Sequence, residues 1–352
     1  MIHFELLSSN SIEELSREKT LYISDFRSLG ESFEYEIESM WKYENLLPWI
    51  TKKGFCTVNE SSQNLLYPSN NSLRLLKCEQ GKQPSISIIK RLKEKEHILS
   101  QINSIWTAVP HPEIDEIARK YNIQLNYKYS DFIVYNDKIS VKKMMGELSP
   151  SWHQITDLKM LTEDFKSGKY IIKRSIGAGG YTTFLPNSKE IPQKLFSLFS
   201  NNNFSWYAEE IIDSIPMSIQ CYKKDNTITV FGYSRQIMGN EVEFIGAEFL
   251  KLEALTNDKD LYNNITETFS RLSAFLSNYN GFFGIDFFYD SQKNFYFLEI
   301  NARMTALTIP FLLHNLNITK TSKFFEDYEG DVSKVKFKIT FDSKWETNDI
   351  II

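Results

Sequence analysis

Asp286, Glu299 and Asn301 are two carboxylates and an amide spaced so that a single β-hairpin would bring them together. The first lies within Gly281-Phe282-Phe283-Gly284-Ile285-Asp286-Phe287-Phe288-Tyr289. The other two lie within Phe297-Leu298-Glu299-Ile300-Asn301-Ala302-Arg303. Polar residues from Asp290 to Lys293 separate the apolar runs, so the pattern predicts strands over 282–289 and 295–300 joined by a turn. Strand side chains alternate, which puts Asn301 on the face of Glu299 and both near Asp286 at the open end. Such hard oxygen donors suit magnesium, and three protein donors leave room for phosphate oxygens to complete the shell. The chemistry expected of this cradle is the handling of ATP. Acidic residues near a hairpin end are usually just solvated. Here both stand in very apolar strands, where a buried carboxylate is costly unless paired or metal-bound.

Two further segments could serve the same ligand. Lys173 precedes Arg174-Ser175-Ile176-Gly177-Ala178-Gly179-Gly180, a glycine-rich tip between two expected strands. Glycines there let backbone N–H groups approach anionic oxygens, and the Lys173 ammonium could reach an α- or β-phosphate. The loop is neither a Walker loop nor a dinucleotide fingerprint. In Glu209-Glu210-Ile211-Ile212, backbone groups could pair with a purine edge while Ile211 or Ile212 covers its face.

The elements that must position these groups are legible in outline. Residues 1–130 read as a layered α/β unit: a helical pattern over Ile86–Ile102, a helix opened by Pro112, and a short strand after Ile123. Segment 60–72 reads as a loop. A helix starts at Asn136-Asp137-Lys138, capped by Asn136 or Asp137, and 148–153 reads as a linker. Strands are expected over 169–173, 182–185, 206–212, 215–222 and 227–237, with a helix over 188–200. Leu261, Ile265, Phe269, Leu272, Phe275, Leu276 and Tyr279 mark a long amphipathic helix leading into the hairpin. The alternating stretch 335–341 predicts one further strand.

Composition bounds the rest. A chain of 352 residues with 42% hydrophobic and 24% charged residues can build two or three subdomains. The net charge of −5 supplies no basic field for nucleic acid. No run reaches the length of a membrane helix, and the start lacks a signal-peptide pattern. Cys56, Cys78 and Cys221 fit neither a disulfide framework nor a zinc site, which suits a reducing cytoplasm. His111 and His153 lie in apparent loops and carry no ligand spacing. Glu241, Glu243 and Glu248, in the loops expected around 238–256, could attract a cationic amine, although a solvated acidic loop explains them as well.

Taken in order, these segments resemble the ATP-grasp superfamily over residues 131–312. The likeness is carried by Asn136-Asp137-Lys138, by Tyr170-Ile171-Ile172-Lys173 with its glycine loop, by Glu209-Glu210-Ile211-Ile212, and by Gly284-Ile285-Asp286 with Glu299-Ile300-Asn301-Ala302-Arg303. The resemblance implies an α/β fold with α+β subdomains that hold ATP between them. Its expected divisions are an N-terminal α/β domain (1–130), a central subdomain with the glycine hairpin (131–206), and a C-terminal subdomain with the metal site (207–352). It implies that Lys138 and Lys173 contact ATP phosphates, that the loop of Ser175, Gly177, Gly179 and Gly180 closes over them, and that Glu209 or Glu210 with Ile211 and Ile212 holds adenine. Asp286, Glu299 and Asn301 would hold two magnesium ions, for which manganese could substitute. Arg303 would stabilise an acyl phosphate or grip a carboxylate, and Arg235 is a second candidate for that duty. Two departures stand out. Many members carry a ribose-binding carboxylate where this chain has Pro216-Met217-Ser218, and some amino-acid ligases carry an arginine where it has Gly284.

The reaction so implied is ATP-dependent carboxylate–amine ligation through an acyl phosphate, with release of ADP and phosphate. The N-terminal third looks like that of ligases in peptide and aminoglycoside natural-product pathways. Three alternatives remain: thioester loading of a carrier-protein thiol, simple phosphorylation of a small acid, and a non-catalytic ATP-binding regulatory module. The partners expected are small-molecule or peptide carboxylates and amines, with neither nucleic acid nor membrane. The sequence leaves the oligomeric state open and is compatible with a homodimer.

Overall fold

The computed structural model describes residues 1–5, 7, 12–23, 47–59, 72–78, 92, 96–177, 180, 182–186, 191–200, 204–238, 244–315, 323–327 and 336–338. The first strand, β1 (Ile2–Phe4), does not stay with the N-terminal unit and instead joins a distant C-terminal sheet. Five strands then form an all-parallel sheet: β2 (Thr20–Ile23), β3 (Gly54–Asn59), β4 (Leu73–Cys78), β5 (Ser104–Thr107) and β6 (Gln124–Leu125), in the order β4-β3-β2-β5-β6. Pro112 opens the helix Pro112–Tyr121, and His111 caps it by accepting from the Glu113 N–H, so His111 is a structural cap. Asn122, left-handed at φ 52°, ends that helix and turns the chain into β6. The expected loop at 60–71 lies outside the described residues. Of the helix expected over Ile86–Ile102, the described residues are Leu92, which is helical, and 96–102, of which Glu96–Leu99 form a single turn.

A small antiparallel sheet follows, ordered β7-β10-β8-β9, from β7 (Trp152–Ile155), β8 (Tyr170–Arg174), β9 (Thr183–Phe184) and β10 (Trp206–Glu210). The segment expected to be a linker therefore supplies a strand. His153, also expected in a loop, sits on that strand with Nε2 2.8 Å from Asp164 Oδ2. Apolar residues of these strands pack on Leu161, Phe165, Leu195 and Phe199 of the helices Leu158–Ser167 and Gln193–Ser200. The division expected at 206/207 falls within β10 (Trp206–Glu210), which lies between β7 and β8 in this sheet.

The largest sheet runs β15-β14-β11-β12-β13-β16-β17, with β1 beside β12. Its strands are β11 (Pro216–Lys224), β12 (Thr227–Met238), β13 (Phe244–Leu250), β14 (Gly281–Tyr289), β15 (Phe295–Asn301), β16 (Lys323–Asp327) and β17 (Lys336–Lys338). Of the loops expected around 238–256, residues 244–250 form β13, and the helix Leu252–Asn257 follows it. Asp258 caps the helix Lys259–Phe275, and Leu261, Ile265, Phe269 and Leu272, one turn apart, bury against the sheet. The same core takes in Val141 and Met145 of the helix Lys138–Met145 and Tyr22, Trp106 and Tyr127 of the N-terminal unit. No helix among the described residues is long and apolar enough to cross a membrane.

Candidate active site

The hairpin forms as the sequence predicts, with one irregularity that decides its chemistry. From the turn inward, Tyr289 pairs with Phe295, Phe288 with Tyr296 and Phe287 with Phe297. The register then slips by one residue, so Asp286 pairs with Glu299 and Leu298 is left over as a bulge. Asp290 holds the turn by accepting from the N–H groups of Gln292 and Asn294, each at 2.9 Å. Across the sheet, Ser234, Ser218, Asp286 and Glu299 stand in one row. Directly paired residues share a face, so this row and its neighbour, Gly232, Gln220, Gly284 and Asn301, make a polar stripe on one side. On the other side Met217, Ile219, Ile285 and Phe287 bury in the core.

Around Asp286 and Glu299 the polar atoms converge. Asn301 Nδ2 donates to Asp286 Oδ2 at 3.0 Å and to Glu299 Oε1 at 3.3 Å, and Gln236 Nε2 donates to Asp286 Oδ1 at 2.9 Å. Lys138 Nζ lies 3.2 Å from Glu299 Oε2 and also donates to the Gly177 carbonyl at 2.9 Å. The Lys138 N–H meets the Ser175 carbonyl at 2.8 Å, so both ends of this residue hold the start of the glycine loop. A second cluster sits beside it. Lys173 Nζ donates to Glu209 Oε1 at 2.8 Å, and Lys142 Nζ pairs with Glu209 Oε2. Glu209 and Lys142 are 1% and 0% exposed.

The charges follow from burial and neighbours. Burial, and then the Glu299 charge beside it, push the Asp286 carboxyl up to about 7. Burial opposes the charge on Glu299 as well, but Lys138 and Lys173 outweigh it and hold this carboxyl below the usual range. Glu209 is likewise held low against burial by Lys173 and Lys142. Burial lowers the Lys142 ammonium, and Glu209 only partly restores it. Two acids forced together in a half-buried place suit a hard divalent cation, and the donor set fits one. No group of three or more His, Cys, Asp and Glu side chains among the described residues could hold a metal ion. An ion at this place would therefore rest on Asp286 and Glu299 and draw its remaining oxygens from elsewhere.

The family described as the ATP-grasp domain matches residues 135–307, the segment that holds all of these groups. The chain carries an ATP-grasp domain. The fold agrees with solved structures of low identity. A Campylobacter jejuni biotin carboxylase in complex with β,γ-ATP is 17% identical with a TM-score of 0.57, covering 84% of this chain and 67% of that one. An Archaeoglobus fulgidus protein described as a putative ATP-grasp superfamily protein is 16% identical with a TM-score of 0.54, covering 89% and 94%. N5-carboxyaminoimidazole synthetase of Staphylococcus aureus, complexed with ADP, is 15% identical with a TM-score of 0.51, covering 83% and 74%. No curated protein sequence matches the chain.

Within the ATP-grasp domain the other expected residues fall into place unevenly. Asp137 is the helix cap, accepting from the Ser140 N–H, while Asn136 turns inward to accept from the Ala302 N–H at 3.0 Å. Tyr127 donates to the Ala302 carbonyl at 2.6 Å, so this pair fixes the chain just beyond Asn301. Asn301 was expected to offer its carbonyl to a metal. That oxygen accepts from Arg303 Nη2 at 2.8 Å, and the amide turns its N–H groups to the carboxylates. Arg303 is buried, and its Nη1 donates to the Met304 carbonyl. Arg235 is not brought to the cluster: it alternates with Ser234 and Gln236, so it stands on the opposite face, paired with Glu248 at 3.0 Å. Glu248 is thereby an ion-pair partner on β13. Glu241 and Glu243 lie outside the described residues.

Ser175 is buried, Gly180 has φ +77°, and a Cβ at Gly177 would collide with Thr182 Oγ1. Gly179 lies outside the described residues. Glu209 points at the two lysines, whereas Glu210 and Ile211 are exposed and Ile212 is half-buried where β10 leaves the small sheet. Pro216-Met217-Ser218 opens β11, with Met217 in the core and Ser218 beside Asp286. A Cβ at Gly284 would come within 2.8 Å of Thr305 Cγ2 and 3.2 Å of Gln220 Nε2. Thr305 and Thr308 both donate to Gln220 Oε1, at 2.7 and 3.0 Å, and this packed cluster fills the room a longer side chain would need. Sequence reasoning missed Gln236 and Lys142. Lys142 had a usable signal, because four residues after Lys138 on one helix places both lysines on the same side.

Proposed function

We propose that the chain is an ATP-dependent ligase that activates a substrate carboxylate and joins it to an amine. The carboxylate oxygen attacks the γ-phosphorus of ATP, ADP leaves, and an acyl phosphate forms. The amine nitrogen then attacks the acyl carbon, phosphate leaves, and an amide results with loss of one proton. The observation that carries this reading is the convergence, inside the ATP-grasp domain, of Lys138 on Glu299 at 3.2 Å with Asp286 directly across the hairpin. Magnesium held by Asp286 and Glu299 would neutralise the charge on the phosphates during transfer. Lys138 and Lys173 would direct their ammonium groups to the same phosphates, and the loop that Lys138 ties down at Ser175 and Gly177 would lie over them. Arg303, through Asn301, would hold the acidic pair in register.

Support for the amine as acceptor comes from the resemblance, as does the setting in small-molecule or peptide natural-product biosynthesis. A reducing cytoplasm suits Cys56 and Cys221, both buried thiols. The test is ADP release by the purified protein with Mg-ATP and pooled amino acids, then pairs, with product masses recorded. A new mass equal to two substrates less one water supports the ligase. ADP release that requires a carrier protein replaces the amine with a thiol. ATP binding without turnover across a broad panel of acids and amines makes the chain a regulatory module.

A further inference from the structure

We propose that Lys142 is a positioning residue for nucleotide phosphates: it neutralises Glu209 from the buried side and so leaves Lys173 able to turn its charge to ATP. This rests on the ATP reading above and adds a residue that the motif resemblance does not include.

The argument begins with where Lys142 sits. It is fully buried on the helix Lys138–Met145, and its ammonium closes on Glu209 Oε2, with no hydrogen-bond partner among the described residues beyond that ion pair for either atom. The Tyr207 ring lies 5.8 Å from the same ammonium and Lys173 takes the other oxygen of Glu209. A lysine placed there for packing alone would be a poor choice, because burying its charge is expensive and an apolar side chain would fill the space. Its charge therefore has a use. Without it, Glu209 would be a buried carboxylate with Lys173 as its one ion-pair partner among the described residues, and breaking one partner of a buried pair is strongly unfavourable. Lys173 would then stay with Glu209, and an arriving phosphate would compete against that pair. With Lys142 behind, the cluster of two lysines and one glutamate carries one net positive charge. The partly exposed member, Lys173, has 16% of its side chain open and is the group through which that charge reaches a ligand.

The test compares wild type, Lys142→Met and the double variant Lys142→Met/Glu209→Gln by calorimetric titration with adenosine, AMP, ADP and Mg-ATP. Lys142→Met should weaken ATP about tenfold or more, the size of one lost charge-assisted contact. Adenosine should bind as before, with the loss growing with the number of phosphates. Removing the buried anion in the double variant should return ATP affinity to within about threefold of wild type. An equal loss for adenosine and ATP, or no loss for either, overturns the proposal. If Lys142→Met does not fold, the double variant is compared directly with wild type: near-normal ATP affinity supports the proposal, and a phosphate-graded loss overturns it. Wild type that binds no ATP overturns the ATP reading and this inference together, whereas wild type that binds while the variants fail these criteria overturns the inference alone.

Discussion

Asp286 faces Glu299 only because Leu298 bulges out of β15. Counting back from the turn in strict register, Asp286 would have met Leu298, and Glu299 would have fallen opposite Ile285. The slip of one residue puts the carboxylates in one row and keeps Phe297 opposite Phe287 in the core. A bulge of this kind re-aims side chains at functional sites. The acidic pair is therefore built by the backbone, with Asn301, Gln236 and Lys138 supplying the hydrogen bonds and countercharge around it.

Replacing either carboxylate by its amide should leave the sheet intact and remove the chemistry. Asp286→Asn and Glu299→Gln keep size and one acceptor oxygen and remove one charge from a repelling pair, so circular dichroism and the melting transition should stay close to wild type. Substrate-dependent ADP release should fall on the order of a hundredfold or more, the scale of losing a main electrostatic group at a reacting centre. Full activity in either variant would remove the pair from the mechanism.

The pH dependence of metal binding should follow Asp286. Its carboxyl, pushed up to about 7 in the folded chain, takes up protons where an unfolded aspartate would already have lost them. The sign is that of a raised group: its contribution to the stability of the metal-free protein is fully present below the unfolded value and is lost as pH rises through about 7. A divalent ion needs the ionised form, so binding below that pH must expel a proton. Manganese or magnesium titrated calorimetrically between about pH 5.5 and 8.5, a range that brackets the shifted group, should bind more weakly at the acid end. In chelator the melting temperature should decline over the same rise, and added metal should restore it. Affinity flat across this range would show that Asp286 does not bind the ion.

How much of this could be read from the chain depends on the range of the interaction. The hairpin, its turn, the helix start at Lys138 and the long helix ahead of the hairpin are set by local periodicity and capping, and the sequence predicts them within a few residues. The bulge at Leu298 is not local, because nothing in Phe297-Leu298-Glu299 distinguishes a slipped register from a regular one. Arg235 shows the same limit: strand alternation places it opposite Gln236, but the face that carries the site is fixed only once β12 pairs with β11. Lys142 and Glu209 are 67 positions apart by their numbers, and the pairing between them exists only when the small sheet closes on the helix Lys138–Met145.

Lys138 should matter to binding through both of its ends. Its ammonium meets Glu299 and the Gly177 carbonyl, so Lys138→Met removes a cation from the acidic pair and unfastens the loop together. Losing charge-assisted hydrogen bonds of this type costs about 1.5–3 kcal/mol, or roughly ten- to hundredfold in affinity. Titration with Mg-ATP should show that loss. Lys138→Arg should recover part of it if charge alone matters and little if the reach to Gly177 matters. Unchanged affinity in Lys138→Met would take Lys138 out of the nucleotide site.

Gly284 and Gly232 should tolerate no side chain, for reasons of packing behind the site. A Cβ on Gly232 would sit 2.7–2.9 Å from three ring carbons of Phe311, and one on Gly284 would press on Thr305 and Gln220. Both glycines lie in the row that continues to Asn301, so the helix Thr308–Asn315 and the segment carrying Arg303 can approach the sheet only where no side chain intervenes. Overpacking at such a contact costs about 1–3 kcal/mol. Urea unfolding of Gly232→Ala and Gly284→Ala should show losses of that size. Gly284→Ala should in addition lower ATP turnover, because the displaced Thr305 is two residues from Arg303 and hence from its bond to Asn301. A Gly284→Ala protein with wild-type stability and turnover would mean that the segment can retreat freely, and that the fit of Thr305 over Gln220 does not hold the acidic pair in place.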